Sequence, residues 1–355
     1  MQYAFETPLF LLRDRGMLVA VFYVQALADL KNGLTLIFIC GIIFVVYYSQ
    51  KVLPCKFLRF DRSAKGDVHM KIQSIGKIRG GQDGAIYGSE LFRFNHKGEC
   101  RVYDLKGLSD SEVCELSPIG EFLLDRAEDL PPHSNAVCFG CDFYEEGDEY
   151  PLLYSNVYNN FSGREDELIG ICFVYRIRRI DGRFTSTMVQ AIEIGFCEDA
   201  SLWKATEEAH GVRPYGNFLV DRETRSYYAF VMRNKEKGTR YFKFDLPSVH
   251  EGAYNARLGV KTVVLGVKDI KESFDCSYHH FIQGAILHGK KIYSTEGFGD
   301  TENPPAFRII DLESHKEEYI NIMELGYVEE PEFIDVYNGN LLYSDACGNL
   351  YRLEW

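Results

Sequence analysis

One pattern recurs along this chain and limits what it can become. The segments Arg101–Leu105 (RVYDL), Phe173–Ile177 (FVYRI), Tyr241–Leu246 (YFKFDL), Phe307–Leu312 (FRIIDL) and Leu350–Trp355 (LYRLEW) alternate apolar and polar residues, and three end in Asp-Leu. Alternation with period two marks a half-buried strand, because successive side chains leave opposite faces of a sheet. A second alternating run precedes each: ELFRFN from Glu90, LLYSNVY from Leu152, SYYAFVM from Ser226, KIYSTEG from Lys291 and LLYSDACG from Leu342. Before that comes an apolar run with small residues: DGAIYG from Asp83, NAVCFG from Asn135, GNFLVD from Gly216, QGAILHG from Gln283 and EFIDVYNG from Glu332. The intervening HGKK and NGN stretches are hairpin chemistry.

A fourth run follows in four of the five units: EVCELS (Glu112–Ser117), STMVQAIEI (Ser186–Ile194), KTVVLGV (Lys261–Val267) and EEYINIMEL (Glu317–Leu325). The fifth unit has none, whereas HMKIQSIGKI (His69–Ile78) stands ahead of the first unit without a partner. The pattern predicts an all-β, five-bladed β-propeller closed by the N-terminal strand. A six-bladed ring would follow if the long second unit merges two, and a β-sandwich is the other alternative, although its strands need not repeat in fours. A short helix is expected in Asp199–Gly211 and an amphipathic turn in Val267–Phe274.

Residues 1–69 read as a separate N-terminal extension, and residues 70–355 as the propeller domain. No charge lies between Lys31 and Lys51, and the apolar stretch predicts a transmembrane helix over residues 34–53. Lys51, Lys56, Arg59, Arg62 and Lys65 follow it, against Arg13, Arg15 and Lys31 before it, which favours a cytoplasmic side for the downstream domain. Two readings stand: a hydrophobic helical extension anchoring a cytoplasmic propeller to the membrane, or a soluble cytoplasmic protein that starts at Met70. The 23 Tyr and 25 Phe suit pleated, half-buried surfaces. Residues 1–69 carry eight Lys/Arg against five Asp/Glu, so a net charge of −13 leaves −16 on the remainder. Such a body repels phosphate backbones, and no nucleic acid is expected as partner. The ten cysteines lack pairing intervals, and Cys172 and Cys197 sit in apolar runs, so they read as reduced thiols.

From MKIQSIGKIRGGQDGAIYG through HSNAVCFG, EEGDEYPLLYSNVYNNF, VRPYGNFLVD, TRYFKFDLP and EPEFIDVYNGNLLYSDACGNLYRLEW, the chain resembles a group of bacterial propeller-like proteins of unknown function, associated with gut anaerobes. The resemblance covers residues 70–355 and implies a start at Met70. It brings no activity, substrate or catalytic residue with it.

Function is therefore argued from the site. The segments leading into the five inner strands are polar: Gln82 and Asp83; His133, Ser134 and Asn135; Arg213, Tyr215 and Asn217; His279, His280 and Gln283; Glu330 and Glu332. If five strand starts converge, these groups line one channel mouth and bind a small polar molecule or sugar, with Tyr215, Phe281 and Phe333 available to stack on a ring face. The plainer reading is that they cap strand ends and bridge through water. A glycoside-processing enzyme would need two flanking carboxylates, for which Asp83, Glu332, Glu296 and Asp345 are candidates. A protein-interaction platform on the blade rims is the third class. Cys138 and Cys141 have metal-like spacing but no second pair, and no phosphate loop or nucleophile elbow is present, so neither metal nor cofactor is expected.

Overall fold

The computed structural model describes residues 70–108, 113–157, 170–195, 218–234, 238–278 and 281–354, together with the backbone of four strands before residue 48. The chain divides into two compact units, Met1–Asp67 and Val68–Trp355. In the first, strands Phe10–Asp14, Met17–Phe22, Leu34–Ile39 and Ile42–Tyr47 form one antiparallel sheet in the order first, second, fourth, third. This corrects the helix expected over residues 34–53: Leu34–Ile39 and Ile42–Tyr47 pair with each other, Ile39 opposite Ile42. The reason lies in residue type, since Thr35, Ile37, Ile39, Ile42, Ile43, Val45 and Val46 are β-branched and favour a strand. Among the described residues no helix is long and apolar enough to cross a membrane. The helix expected in Asp199–Gly211 lies outside the described residues.

The second unit is an all-β, five-bladed propeller, and among the described residues its only helices are three single 3-10 turns. Blade 1 runs from inside to outside through Gly84–Tyr87, Glu90–Phe94, Glu99–Asp104 and Gly120–Leu123. Blade 2 begins at His133–Phe139 and continues through Leu153–Val157, Ile171–Ile180 and Arg183–Ile194. In blade 3 the order is Leu219–Asp221, Ser226–Asn234, Gly238–Asp245 and Glu272–Cys276. Blade 4 consists of Ile282–His288, Lys291–Glu296, Ala306–Asp311 and Glu317–Asn321. Blade 5 contains Pro331–Tyr337, Asn340–Asp345 and Asn349–Glu354, with Lys71–Lys77 antiparallel to the last of these. The inner strands of blades 1 and 2, 2 and 3, 3 and 4, 4 and 5, and 5 and 1 lie against one another, so they form a ring.

Two of the expected fourth strands belong to other sheets. Cys114–Glu115, within EVCELS, pairs in parallel with Lys71–Lys77 on the outer edge of blade 5. Leu116 N adds a bond to the Lys77 carbonyl at 2.8 Å. Val260–Leu265, within KTVVLGV, pairs in parallel with Arg183–Ile194 on the outer edge of blade 2, and Ala253–Asn255 folds back beside it. In both cases the chain leaves the third strand, crosses to the preceding blade, and returns to form its own fourth. Glu272–Cys276 thus falls where a turn was expected, after a 3-10 turn at Val267–Asp269.

The core lies between blades. Phe92, Phe139, Tyr150 and Phe173 fill the space between blades 1 and 2, and Tyr228, Tyr241, Ile282 and Ile292 that between blades 3 and 4. Tyr103, Phe333, Leu342 and Leu350 join blades 5 and 1. Both faces of each sheet are covered, and each fully buried aromatic or aliphatic side chain contributes about 1.5–3 kcal/mol.

Candidate functional site

An inner strand has one edge with no sheet partner, so its backbone N–H groups need other acceptors. Buried aspartates supply them. Asp83 Oδ2 of blade 1 accepts from Val137 N of blade 2 at 2.9 Å, and Asp335 Oδ2 of blade 5 accepts from Ile86 N of blade 1 at 2.6 Å. Within blade 2, Asn156 Oδ1 accepts from Ala136 N at 3.0 Å. Asp83 is therefore engaged by the edge of the neighbouring inner strand.

Gln82, Gln283 and Glu332 occupy one structural position, six residues before the first loop residue of their hairpins, Gly88, Gly289 and Asn338. The ladder shifts register between Ile282 and Gly284 and between Pro331 and Phe333, so Gln283 and Glu332 stand in bulges; a third irregularity spans His133 to Val137. In blade 1, Gln82 N and Asp83 O both bond to Phe94. Bulges re-aim side chains, and these converge. Gln82 Nε2 donates to Glu332 Oε1 at 3.0 Å, Gln283 Nε2 donates to Glu330 Oε1 at 2.5 Å, and Asn135 Nδ2 donates to Gln283 Oε1 at 3.4 Å. Blades 1, 2, 4 and 5 thereby meet in one polar cluster.

Beneath it lies Arg93, a residue the polar strand starts do not disclose. Its Nη2 donates to the Gly81 carbonyl at 2.9 Å, and its guanidinium lies 5.5 Å from the Phe333 ring centroid. Phe333 is wholly buried under that contact and offers no face to a ligand. Five buried atoms of the cluster have no hydrogen-bond partner: Asp83 Oδ1, Arg93 Nε and Nη1, Asn135 Oδ1 and Glu332 Oε2. Crowding is high, since a Cβ on Gly284 would lie 2.8 Å from the Glu332 carbonyl oxygen and 2.9 Å from Asp83 Oδ1.

Burial governs the protonation of these groups. It pushes the Glu332 carboxyl up to about 8, the neighbouring Glu330 carboxylate adds to the rise, and Arg93 and the Gln82 bond oppose it. Burial likewise raises Glu330, against the Gln283 bond, and holds Asp83 well above the usual carboxylate range.

Of the other expected residues, His133 is half-buried, with its ring 6.5 Å from that of His96, and Ser134 shares a hydrogen bond with Ser155 at 3.1 Å. Arg213, Tyr215, Asn217, His279 and His280 lie outside the described residues. Glu296 is committed to Arg308 through two buried bonds of 2.7 and 3.1 Å. Asp345 accepts from Asn349 N, Asn349 Nδ2 and Tyr351 Oη, as a turn residue does. Cys138 is core, with its thiol pushed up to about 12 by burial. A cleft of ≈ 600 Å³ between Glu121–Asp129 and Phe184–Ser186 lies apart from these residues.

Phe281 and Phe298 add an aromatic feature at the start of blade 4. Their ring centroids are 4.0 Å apart, and they remain 41% and 45% exposed. Gly297, next to Phe298, donates its N–H to the Phe281 carbonyl at 3.0 Å, and its own carbonyl accepts from Gln283 Nε2 at 3.3 Å. Gly299, on the other side, packs against the backbone of Val328–Glu330. The pair is thus anchored to Gln283 and Glu330. Phe281 has φ +47°, and His133 and Ser134 have φ +63° and +54°. Left-handed backbone at bulky residues is strained, and it gathers where side chains must be presented.

These features define the class: a five-bladed β-propeller with a buried polar cluster where its inner strands begin. No known protein-family model and no curated protein sequence matches the chain. Among solved structures it is similar to Myxococcus xanthus glutaminyl cyclase (10% identity, 79% of this chain and 98% of that one, TM-score 0.41). It is also similar to virginiamycin B lyase from Staphylococcus aureus (10%, 81% and 99%, TM-score 0.38) and to Kuenenia stuttgartiensis hydrazine synthase (10%, 74% and 61%, TM-score 0.35). The chain thus spans under two thirds of the hydrazine synthase chain. At such TM-scores these likenesses carry no argument about activity.

Proposed function

We propose that the mouth formed by the inner strands binds a small polar ligand with the hydrogen-bonding capacity of a sugar. The observation that carries this reading is the set of five unpartnered buried atoms on Asp83, Arg93, Asn135 and Glu332. Each such group costs about 1–3 kcal/mol if left unmade. They come from three blades and include both donors and acceptors, so one molecule carrying both kinds of group would satisfy them. Ordered water is the competing filler.

Glycoside cleavage fits less well. It needs one protonated and one ionised carboxyl, whereas burial pushes Glu332 and Asp83 in the same direction. We further propose that the pairing of Lys71–Lys77 with Asn349–Glu354 holds the ring shut.

The test is thermal-shift fluorimetry of the full chain against sugars, amino acids and amines. At a hundredfold excess over Kd a true ligand stabilises by about 2.7 kcal/mol, which raises the midpoint by several degrees. Arg93→Met removes the two unpartnered guanidinium nitrogens and is expected to abolish the shift in a protein that still folds. A flat response of the wild type across the panel would leave water as the occupant and end the proposal.

A further inference from the structure

The polar cluster carries an imbalance of charge. Among the described residues, Arg93 is the cation facing Asp83 and Glu332, with Asp345 also close. Asp345 is satisfied by its own turn, but among the described residues Glu330 and Glu332 adjoin each other without a second cation. Exposed Glu329 follows Val328 on the same segment, and its carboxylate accepts from Cys347 Sγ at 3.6 Å. Gln82 and Gln283 occupy one oxygen each of Glu332 and Glu330, and Glu332 Oε2 has no partner at all. On the backbone anchored to Gln283 and Glu330 stand Phe281 and Phe298, tilted ring to ring and exposed, one on strained backbone. Paired exposed rings lose hydrophobic burial, and a bulky residue at positive φ is strained. Folding alone does not account for either.

Resting on the reading of the mouth as a binding site, we propose that its ligand is a compact organic cation. It would direct a protonated amine or quaternary ammonium at Glu330 and Glu332 and lay a flat apolar face on the Phe281–Phe298 pair. Aromatic faces attract cations through their quadrupole, and a cation beside Glu330 and Glu332 stabilises their ionised forms against burial. A neutral polyol could stack on the rings, but it would bring no charge to hold the two carboxyls ionised. Because the carboxyls are raised, a bound cation favours their ionised forms, and binding at neutral pH releases protons.

Calorimetry on the full chain tests this, with phenethylammonium and benzyltrimethylammonium as probes, and neutral 2-phenylethanol and glucose as comparisons. The cations are expected to bind at least tenfold more tightly than the alcohol, with a heat that varies with the ionisation enthalpy of the buffer. Glu330→Gln and Glu332→Gln, both nearly isosteric, should each weaken cation binding about tenfold or more. Phe281→Gly relieves the positive φ, so it should lose affinity while the thermal midpoint stays level or rises. If the alcohol or glucose binds as tightly as the cations, or the Gln variants bind them unchanged, the cation assignment fails and the mouth stands as a neutral-ligand site. If no probe and no member of the wider polar panel binds, both proposals fail together.

Discussion

Glu332 shows how one residue links site and stability. Its carboxyl holds a proton more tightly in the folded protein, at about 8, than at its ordinary value of 4.5. The sign follows from linkage: this contribution is fully present below about pH 4.5 and is lost as pH climbs toward 8. Asp83 and Glu330 are raised as well and slope the same way. The thermal midpoint is therefore expected to fall between pH 5 and pH 8, and Glu332→Gln to flatten that fall; an unchanged slope in the variant would show that Glu332 ionises freely. The polar starts of the inner strands were legible because charged and amide residues interrupt apolar runs there. Arg93 was not, since it stands inside an ordinary alternating strand, ELFRFN, and only the neighbouring blade explains its burial. Glu296 misled for the converse reason: its partner Arg308 sits on the next strand, and pairing register is invisible in a single sequence.

At the level of elements, the bulges at Gln283 and Glu332 depend on Gly284, where blade 4 approaches Asp83 and the Glu332 backbone. Gly284→Ala should cost about 1–3 kcal/mol through overpacking, measured by urea denaturation, and should abolish ligand binding; full stability in this variant would show that the inner strands have room to shift. The hairpins were readable from their turns and alternation. Strand partnership was not: Val260–Leu265 has the pattern of a fourth strand, but that pattern fits the edge of blade 2 as well as that of blade 3. The apolar run after Lys31 likewise fixes hydrophobicity without fixing helix or strand, and its β-branched residues carry the information that decides it.

For the whole molecule, the unequal joints between blades matter most. Cys114–Glu115 ties blade 1 to blade 5, and Val260–Leu265 ties blade 3 to blade 2, both through main-chain ladders. Blade 4 takes part in no such ladder among the described residues; side chains hold it, as in Arg308 to Ser277 Oγ at 2.5 Å and Phe307 against Tyr343. Native-state hydrogen exchange should therefore find the amides of Ile282–Asn321 opening before those of Lys71–Lys77 and Asn349–Glu354. The reverse order would refute both this ranking and the role given to the Lys71–Lys77 pairing. Four wedges are riveted two by two, and the fifth is only keyed between its neighbours. That loose wedge bears the paired phenylalanines, so a guest of the proposed kind, which must reach the deeper carboxyls, would find the least resistance on the side where its ring first lands.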